Sequence, residues 1–280
     1  MPSPFTNFSE IPKNLDSGAC DVTWMTASLA FPISKGIAQY KQYGKRSFYM
    51  MIHGGAGHLQ LITTDPNIKS IADWKGKRVS GRGLANPQTF DLIRAALLSI
   101  YDMTDDDIKL IPSQMATQDM PRHLKEGVAD VAIMTALTGA ATIEELAVTK
   151  DIYFIPLSAE EQASVKAKLP YFASSVIPAG TYPKQDSDVP ALVQTQGIFI
   201  RHDFDQELAY QMVKAMYEHQ DELFKSHSNA RFWDIKYAVQ TEAIFHPYAP
   251  GTVRFLKEKG LWTPEAEAVQ QKLLTEAGLN

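Results

Sequence analysis

Leu124-Lys-Glu-Gly127-Val-Ala-Asp130-Val131-Ala-Ile-Met134-Thr135-Ala136 repeats an earlier stretch of the same chain, Leu15-Asp-Ser-Gly18-Ala-Cys-Asp21-Val22-Thr-Trp-Met25-Thr26-Ala27. The shared pattern is L-x-x-G-x-x-D-V-x-x-M-T-A, and a proline stands three residues before each leucine, at Pro12 and Pro121. Each half has a physical reading. Glycine after a short apolar-periodic segment stops a helix in the left-handed conformation, and Asp-Val followed by apolar residues starts a buried strand. Threonine then favours the start of a new helix, so each strand's carboxyl end brings a hydroxyl and free backbone N–H groups to one place. Open α/β sheets bind their ligands at that edge. Two copies imply an internal duplication and two similar lobes facing each other across a cleft.

Working outward, the segment from Gly76 reads as strand, helix, strand, helix, strand, helix, strand. The strands are expected at Lys77–Ser80, Ile108–Ile111, Asp130–Met134 and Ile152–Leu157, with helices at Pro87–Tyr101, before Gly127, and around Ala140–Val148. That alternation predicts a mostly parallel sheet covered by helices. Phe48–Ile52 and His58–Thr63 read as two short strands separated by a turn, His53-Gly54-Gly55-Ala56-Gly57, near a hinge. Ala191–Ile200 reads as a returning strand, and a long helix is expected from about Gln206 to Lys225. Thr263 with Pro264 predicts the cap of the last helix. The expected domains are residues 1–62 and 186–280 for lobe I and 63–185 for lobe II. By analogy with residues 76–110, lobe I lacks an initial strand and helix, so the expectation is a shortened amino end that has also lost any export signal.

Composition bounds the function. The chain has 280 residues, 45% of them hydrophobic, and a net charge of −5 from 27 basic and 32 acidic residues that are interspersed. Such a balance argues against nucleic acid and a polybasic membrane patch, and no run reaches the length of a membrane helix. The single Cys20 excludes an internal disulfide and a cysteine-based metal site.

Several motifs fail a stricter test. His53-Gly-Gly-Ala-Gly57 resembles an esterase oxyanion loop but has no nucleophile elbow to serve, and His53 with His58 has no third ligand for zinc. Gly81-Arg82-Gly83-Leu-Ala-Asn86-Pro87-Gln88-Thr89 lies between strand and helix as a dinucleotide fingerprint does, yet its last small residue is replaced by Asn86. What remains is an anion site, with Asn86 capping the helix, Pro87 in its first turn, and Arg82 supplying a fork that pairs with a carboxylate. Thr26, Thr135 and Thr138 are candidate hydrogen-bond donors from the strand ends, and Trp24 faces either the core or the cleft lip. No metal or cofactor is expected.

The chain resembles the solute receptors of the TRAP transporters, in the TRAP-associated extracytoplasmic immunogenic (TAXI) branch. The resemblance runs from about Leu15 to Leu274 and rests on Ile71-Ala-Asp-Trp-Lys-Gly76-Lys-Arg-Val79, Asp151-Ile-Tyr-Phe-Ile-Pro-Leu157, Ile177-Pro-Ala-Gly-Thr-Tyr-Pro183, and His246-Pro followed by Phe255-Leu-Lys-Glu-Lys-Gly260. It implies a type II periplasmic-binding-protein fold and an exported, periplasmic protein. Such a receptor captures a small organic anion, of the dicarboxylate or acidic amino acid class, without transforming it and delivers it to a sodium-coupled membrane permease. The expected ligand contacts are Arg82, Asn86, Gln88, Thr89, Thr135, Thr138 and Tyr182 from lobe II, with Trp24, Thr26 and His53 from lobe I, in a monomeric receptor. Two rivals are a ligand-sensing module for a signalling partner and an enzyme on the same fold. This sequence departs from the resemblance at Leu84-Ala-Asn86-Pro-Gln88, where the family tends to small residues, so Asn86 and Gln88 side chains take the place of exposed backbone.

Overall fold

Residues 10–83, 87–113, 116–226, 230, 233–241 and 244–279 are described by the structure, a computed structural model of the chain. The first half runs α1 (Ile11–Asp16), β1 (Val22–Thr26), α2 (Ala27–Lys35), β2 (Phe48–Thr63), β3 (Arg78–Gly83), α3 (Pro87–Leu98), β4 (Lys109–Ser113), α4 (Ala116–Lys125), β5 (Val131–Leu137) and α5 (Ala141–Thr149). The second half runs β6 (Tyr153–Phe154), α6 (Ala159–Lys168), β7 (Phe172–Ile177), β8 (Val189–Arg201), α7 (Gln206–Glu218), α8 (Gln220–Ser226), α9 (Pro250–Glu258) and α10 (Pro264–Ala277). The chain divides into two compact units, Met1–Gly55 with Thr195–Asn280, and Ala56–Gln194. β2 and β8 each contribute residues to both.

In unit 1, β1 pairs antiparallel with the end of β8, Trp24 opposite Ile198 and Met25 opposite Gly197. The core gathers Met25 from β1, Leu29 and Ile33 from α2, Phe48 and Met50 from β2, Phe199 from β8, Val213 from α7 and Phe255 from α9. Fully burying each such side chain is worth about 1.5–3 kcal/mol. α7 and α9 approach so closely that a Cβ on Gly251 would overlap the Gln206 carbonyl oxygen and stand 2.9 Å from the Tyr210 nitrogen. The last helix starts as its sequence predicts, with the Thr263 hydroxyl accepting from the Ala266 N–H at 3.1 Å and Pro264 in the first turn.

Unit 2 is a mixed sheet with helices packed on it. β3 runs parallel to β4 on one side and to β5 on the other. β5 pairs antiparallel with β2, and β7 antiparallel with β8. The expectation of a mostly parallel sheet is therefore corrected: β3 pairs parallel with β4 and β5, whereas β1–β8, β2–β5, β2–β6 and β7–β8 are antiparallel. The reason is that β2 and β8 are long extended segments, and antiparallel neighbours need no helical crossover.

Both copies of the repeated motif behave alike at the turn before the strand. Gly18 and Gly127 are left-handed, each at φ 69°. Leu15 and Leu124, then Met25 and Met134, are buried at matching places. The copies diverge beyond the methionines. Thr26 precedes α2 directly, but β5 runs on to Leu137, paired with Gly57–Thr63 of β2.

His53-Gly54-Gly55-Ala56-Gly57 is not a turn: β2 is one strand of 16 residues. Glycine permits a reversal without imposing one. The expected single helix from Gln206 to Lys225 is interrupted at His219, which separates α7 from α8. Two elements had no counterpart in the sequence reading, α6 and β7. α6 buries only Gln162 and Val165, so it carries no apolar stripe, although its capping box at Ser158 and Glu161 is plain in the sequence.

Candidate functional site

The parallel strands of unit 2 fix where a site can form. Because β3 pairs with β4 and β5 on opposite sides, the chain leaves β3 through α3 to reach β4, then returns through α4 to reach β5. The strand order reverses at β3. Outside the carboxyl ends of strands at such a reversal, the connecting segments diverge and leave a crevice. Gly83, Ser113 and Leu137 end the three strands at that edge.

Two buried contacts hold this edge in shape. Arg94 of α3 donates from Nη1 to the Gly81 carbonyl at 2.9 Å, while Nε and Nη2 reach Asp105 at 2.7 Å each and Nη2 reaches Asp91 at 2.8 Å. Burial opposes the charge on Arg94, but the two carboxylates outweigh it and raise its pKa. Gly81 sits at a register shift of β3, and a Cβ there would lie 2.8 Å from the Ile133 Cδ1. On the other side, Ser80 Oγ and His123 Nδ1 are 2.9 Å apart, tying α4 to β3. Burial, and then the charge of Arg122, lowers the His123 pKa.

Beside the end of β5 lies an uncharged polar cluster. His58 of β2 pairs with Ala136 across the strands, and its Nδ1 lies 2.8 Å from Thr138 Oγ1. Its Nε2 lies 2.9 Å from Ser175 Oγ of β7. His58 is buried, which lowers its pKa, whereas both hydroxyl-bearing residues are partly exposed. A second polar layer adjoins it. Gln60 donates to the Ala136 carbonyl at 3.2 Å and accepts from the Tyr182 hydroxyl at 2.9 Å.

The candidate residues named from sequence fall as follows. Thr138 is in the cluster. Tyr182 is buried and its hydroxyl donates to Gln60. Thr135 is partly buried within β5, opposite Leu59. Asn86 lies outside the described residues. Arg82 belongs to β3, and Gln88 and Thr89 to the first turn of α3, with their side chains outside those described. In unit 1, Trp24 is 44% exposed on β1, which excludes the core alternative. Thr26 is half-buried, its Oγ1 3.1 Å from Ser28 Oγ; it precedes α2 but makes no side-chain cap. His53 is buried, with Nδ1 2.6 Å from the Tyr248 hydroxyl.

Sequence reasoning did not single out Ser175, Gln60 or Arg94, and dismissed His58 as a zinc ligand without giving it another role. An arginine inside the apolar run Leu92-Ile93-Arg94-Ala95-Ala96-Leu97 was a legible sign of a buried anchor. Ser175 had none, because β7 joins the cluster only through tertiary pairing.

Unit 1 has a cavity of about 150 Å³ at Leu15, Arg46, Phe48 and Arg201. Arg46 is paired with Asp16 at 2.9 Å and Arg201 with Asp203 at 2.7 Å, so these guanidiniums already have counter-charges. Among the described residues no helix is long and apolar enough to cross a membrane, and no group of three or more metal-ligating side chains converges.

The chain has distant structural likenesses. XAC2383 from Xanthomonas citri, bound to chloride ion, aligns with a TM-score of 0.48 at 13% identity over 96% of this chain and 84% of its own. The periplasmic aliphatic sulphonate binding protein SsuA from Escherichia coli aligns at 0.45 and 14%, over 98% and 81%. The alkanesulfonate-binding protein SsuA from Xanthomonas axonopodis pv. citri, bound to MOPS, aligns at 0.43 and 11%, over 98% and 81%. The family is defined by sequence instead: residues 9–260 match the NMT1-like family model, and the chain belongs to that family.

Proposed function

We propose that this protein is an exported solute receptor that captures a small organic anion and delivers it to a sodium-coupled TRAP permease. The observation that carries the receptor reading is the reversal of strand order at β3, beside which Thr138 and Ser175, joined through the buried His58 ring, present partly accessible hydroxyls. Arg82 and the start of α3, with Asn86, Gln88 and Thr89, take the carboxylate in this reading, where free N–H groups and the helix dipole favour an anion. The assignment to a TRAP permease and to the periplasm rests on the resemblance of Ile177-Pro-Ala-Gly180-Thr-Tyr182-Pro183 and its companion segments. A transport receptor signals only if ligand binds one conformation better than another.

Thermal unfolding against a panel of short carboxylates, sulfonates and neutral solutes tests the reading. Ligand at a hundred times its Kd adds about 2.7 kcal/mol. At roughly 2–4 °C per kcal/mol for a chain of this size, the midpoint rises by about 5–10 °C. A panel without any shift, on folded protein, defeats it.

One observation favours a second reading, an esterase. Ser175 and His58 are spaced as a nucleophile and its base. The orienting partner, however, is the Thr138 hydroxyl, which cannot stabilise an imidazolium as a carboxylate does.

A further inference from the structure

The second nitrogen of a neutral imidazole must do the opposite of the first, so the chain Ser175–His58–Thr138 has a fixed hydrogen count. If Ser175 donates to Nε2, then Nδ1 donates to Thr138, and only the Thr138 proton is left to point outward. With the other tautomer, Thr138 donates to Nδ1, Nε2 donates to Ser175, and only the Ser175 proton is left. Either way the cluster offers one donor at one end and lone pairs at both. This is the complement of a group that can both give and accept.

Among the described residues, the groups in contact with the cluster carry no charge. The adjoining layer, Gln60, Tyr182 and the Ala136 carbonyl, is neutral. Of the nearby titratable groups, Lys166 donates at 2.8 Å to Ser174, whose side chain lies on the opposite face of β7 from Ser175. Lys184 pairs with Asp151 at 2.5 Å, and Glu144 of α5 lies toward Gly139. Arg94 is held by Asp91 and Asp105. A carboxylate placed against the cluster would meet a neutral ring and no described cation.

We propose that Ser175, His58 and Thr138 form a subsite that reads an uncharged hydroxyl, carbonyl or amide group, so that the solute is a monoanion with a neutral polar far end and not a dicarboxylate. The inference rests on the receptor reading above and narrows its ligand class. Tautomer exchange at His58 lets the same three residues present the donor at either end, which accommodates a hydroxyl and a carbonyl without moving a side chain.

The test is calorimetric binding of four matched probes at neutral pH: butyrate, 4-hydroxybutyrate, succinamate and succinate. The expected order has succinamate and 4-hydroxybutyrate about tenfold or more tighter than butyrate, the effect of one satisfied hydrogen bond in a partly dry site, with succinate the weakest. Thr138→Val and Ser175→Ala should each narrow the gap between succinamate and butyrate to less than about threefold, and Ser175→Thr should restore much of it. Succinate binding more tightly than succinamate overturns this inference and leaves the receptor reading standing. Equal binding of all four overturns the subsite in the same way. Binding of none of the four overturns the inference, and the wider solute panel then decides separately whether the protein is a receptor.

Discussion

Arg78 grips Asp130 through both edges of its fork, Nε 3.1 Å from Oδ2 and Nη2 2.6 Å from Oδ1, while Nη1 donates to the Gly127 carbonyl at 2.6 Å. The Arg78 backbone N–H donates to Oδ2 as well, at 2.8 Å. One arginine thus fastens the helix stop and the strand start of the repeated motif. Unit 1 has a looser version. The Arg201 backbone N–H donates to the Asp21 carbonyl at 3.2 Å, and Nη1 lies 3.5 Å from Asp21 Oδ1, in the space over Gly18 that a side chain would fill.

Asp130 should therefore govern part of the acid sensitivity. The hydrogen bonds from Arg78 hold its carboxyl below the ordinary 3.8. A carboxyl with a depressed folded pKa stabilises the fold fully above its unfolded value and loses that contribution as pH falls through the folded one. Urea unfolding of Asp130→Asn should show a shallower loss of stability below about pH 4 than the unaltered protein. At neutral pH the substitution should cost about 1 kcal/mol, since the pair is partly solvent-screened. Parallel acid limbs for the two proteins would contradict this.

His246 predicts a second window at higher pH. It is fully buried, stacks on Phe48 at 4.3 Å between ring centres and donates from Nε2 to the Phe48 carbonyl at 2.8 Å. Burial lowers its pKa from 6.5 to about 4. The folded state keeps the ring neutral while the unfolded state takes up a proton, so stability falls as pH drops from about 6.5 toward 4 and levels off below. The size of the effect is on the order of 3 kcal/mol. His246→Gln, which can keep the donor, should be less stable at pH 7.5 but should lack this slope in chemical denaturation.

Two glycines should respond differently to alanine. At Gly127 a Cβ meets open space, and only the left-handed backbone resists it, at about 1 kcal/mol. Gly251→Ala forces α7 and α9 apart against backbone atoms and should cost more, about 1–3 kcal/mol or above. Comparing the two denaturation midpoints checks the order, and a smaller loss at Gly251 would show that the helices are freer to slide than their contact suggests.

The esterase reading has its own test. A fluorophosphonate probe should leave Ser175 unlabelled after prolonged incubation, because no carboxylate stands behind His58. Intact mass and peptide mapping read the outcome, and stoichiometric labelling at Ser175 would revive that reading.

Much of the architecture was legible because its signals are local. The repeated motif located two helix stops and two strand starts, and Thr263-Pro264 marked the last helix. The alternation from Gly76 onward located β3, α3, β4, α4 and β5. Pairing direction was not legible, since Phe48–Thr63 and Val189–Arg201 look the same whether their neighbours run parallel or antiparallel. The His-Gly-Gly-Ala-Gly run misled for a related reason: only the partner strands decide whether glycines are extended or folded back. In the candidate site, Thr138 was found because it follows a strand end. His58, Gln60 and Ser175 are brought together from β2 and β7, and nothing in their spacing announces it.

The division of the chain into units also sets an order of events during synthesis. Unit 2 is one uninterrupted run, Ala56–Gln194, and all of its strands and helices have been made before Thr195 appears. Unit 1 is made in two instalments. Met25, Leu29, Ile33, Phe48 and Met50 leave the ribosome early, but Phe199, Val213 and Phe255, which cover them, follow only after the whole of unit 2. The nascent chain thus carries these apolar side chains uncovered for as long as unit 2 takes to make, a window in which non-local burial is not yet available to them.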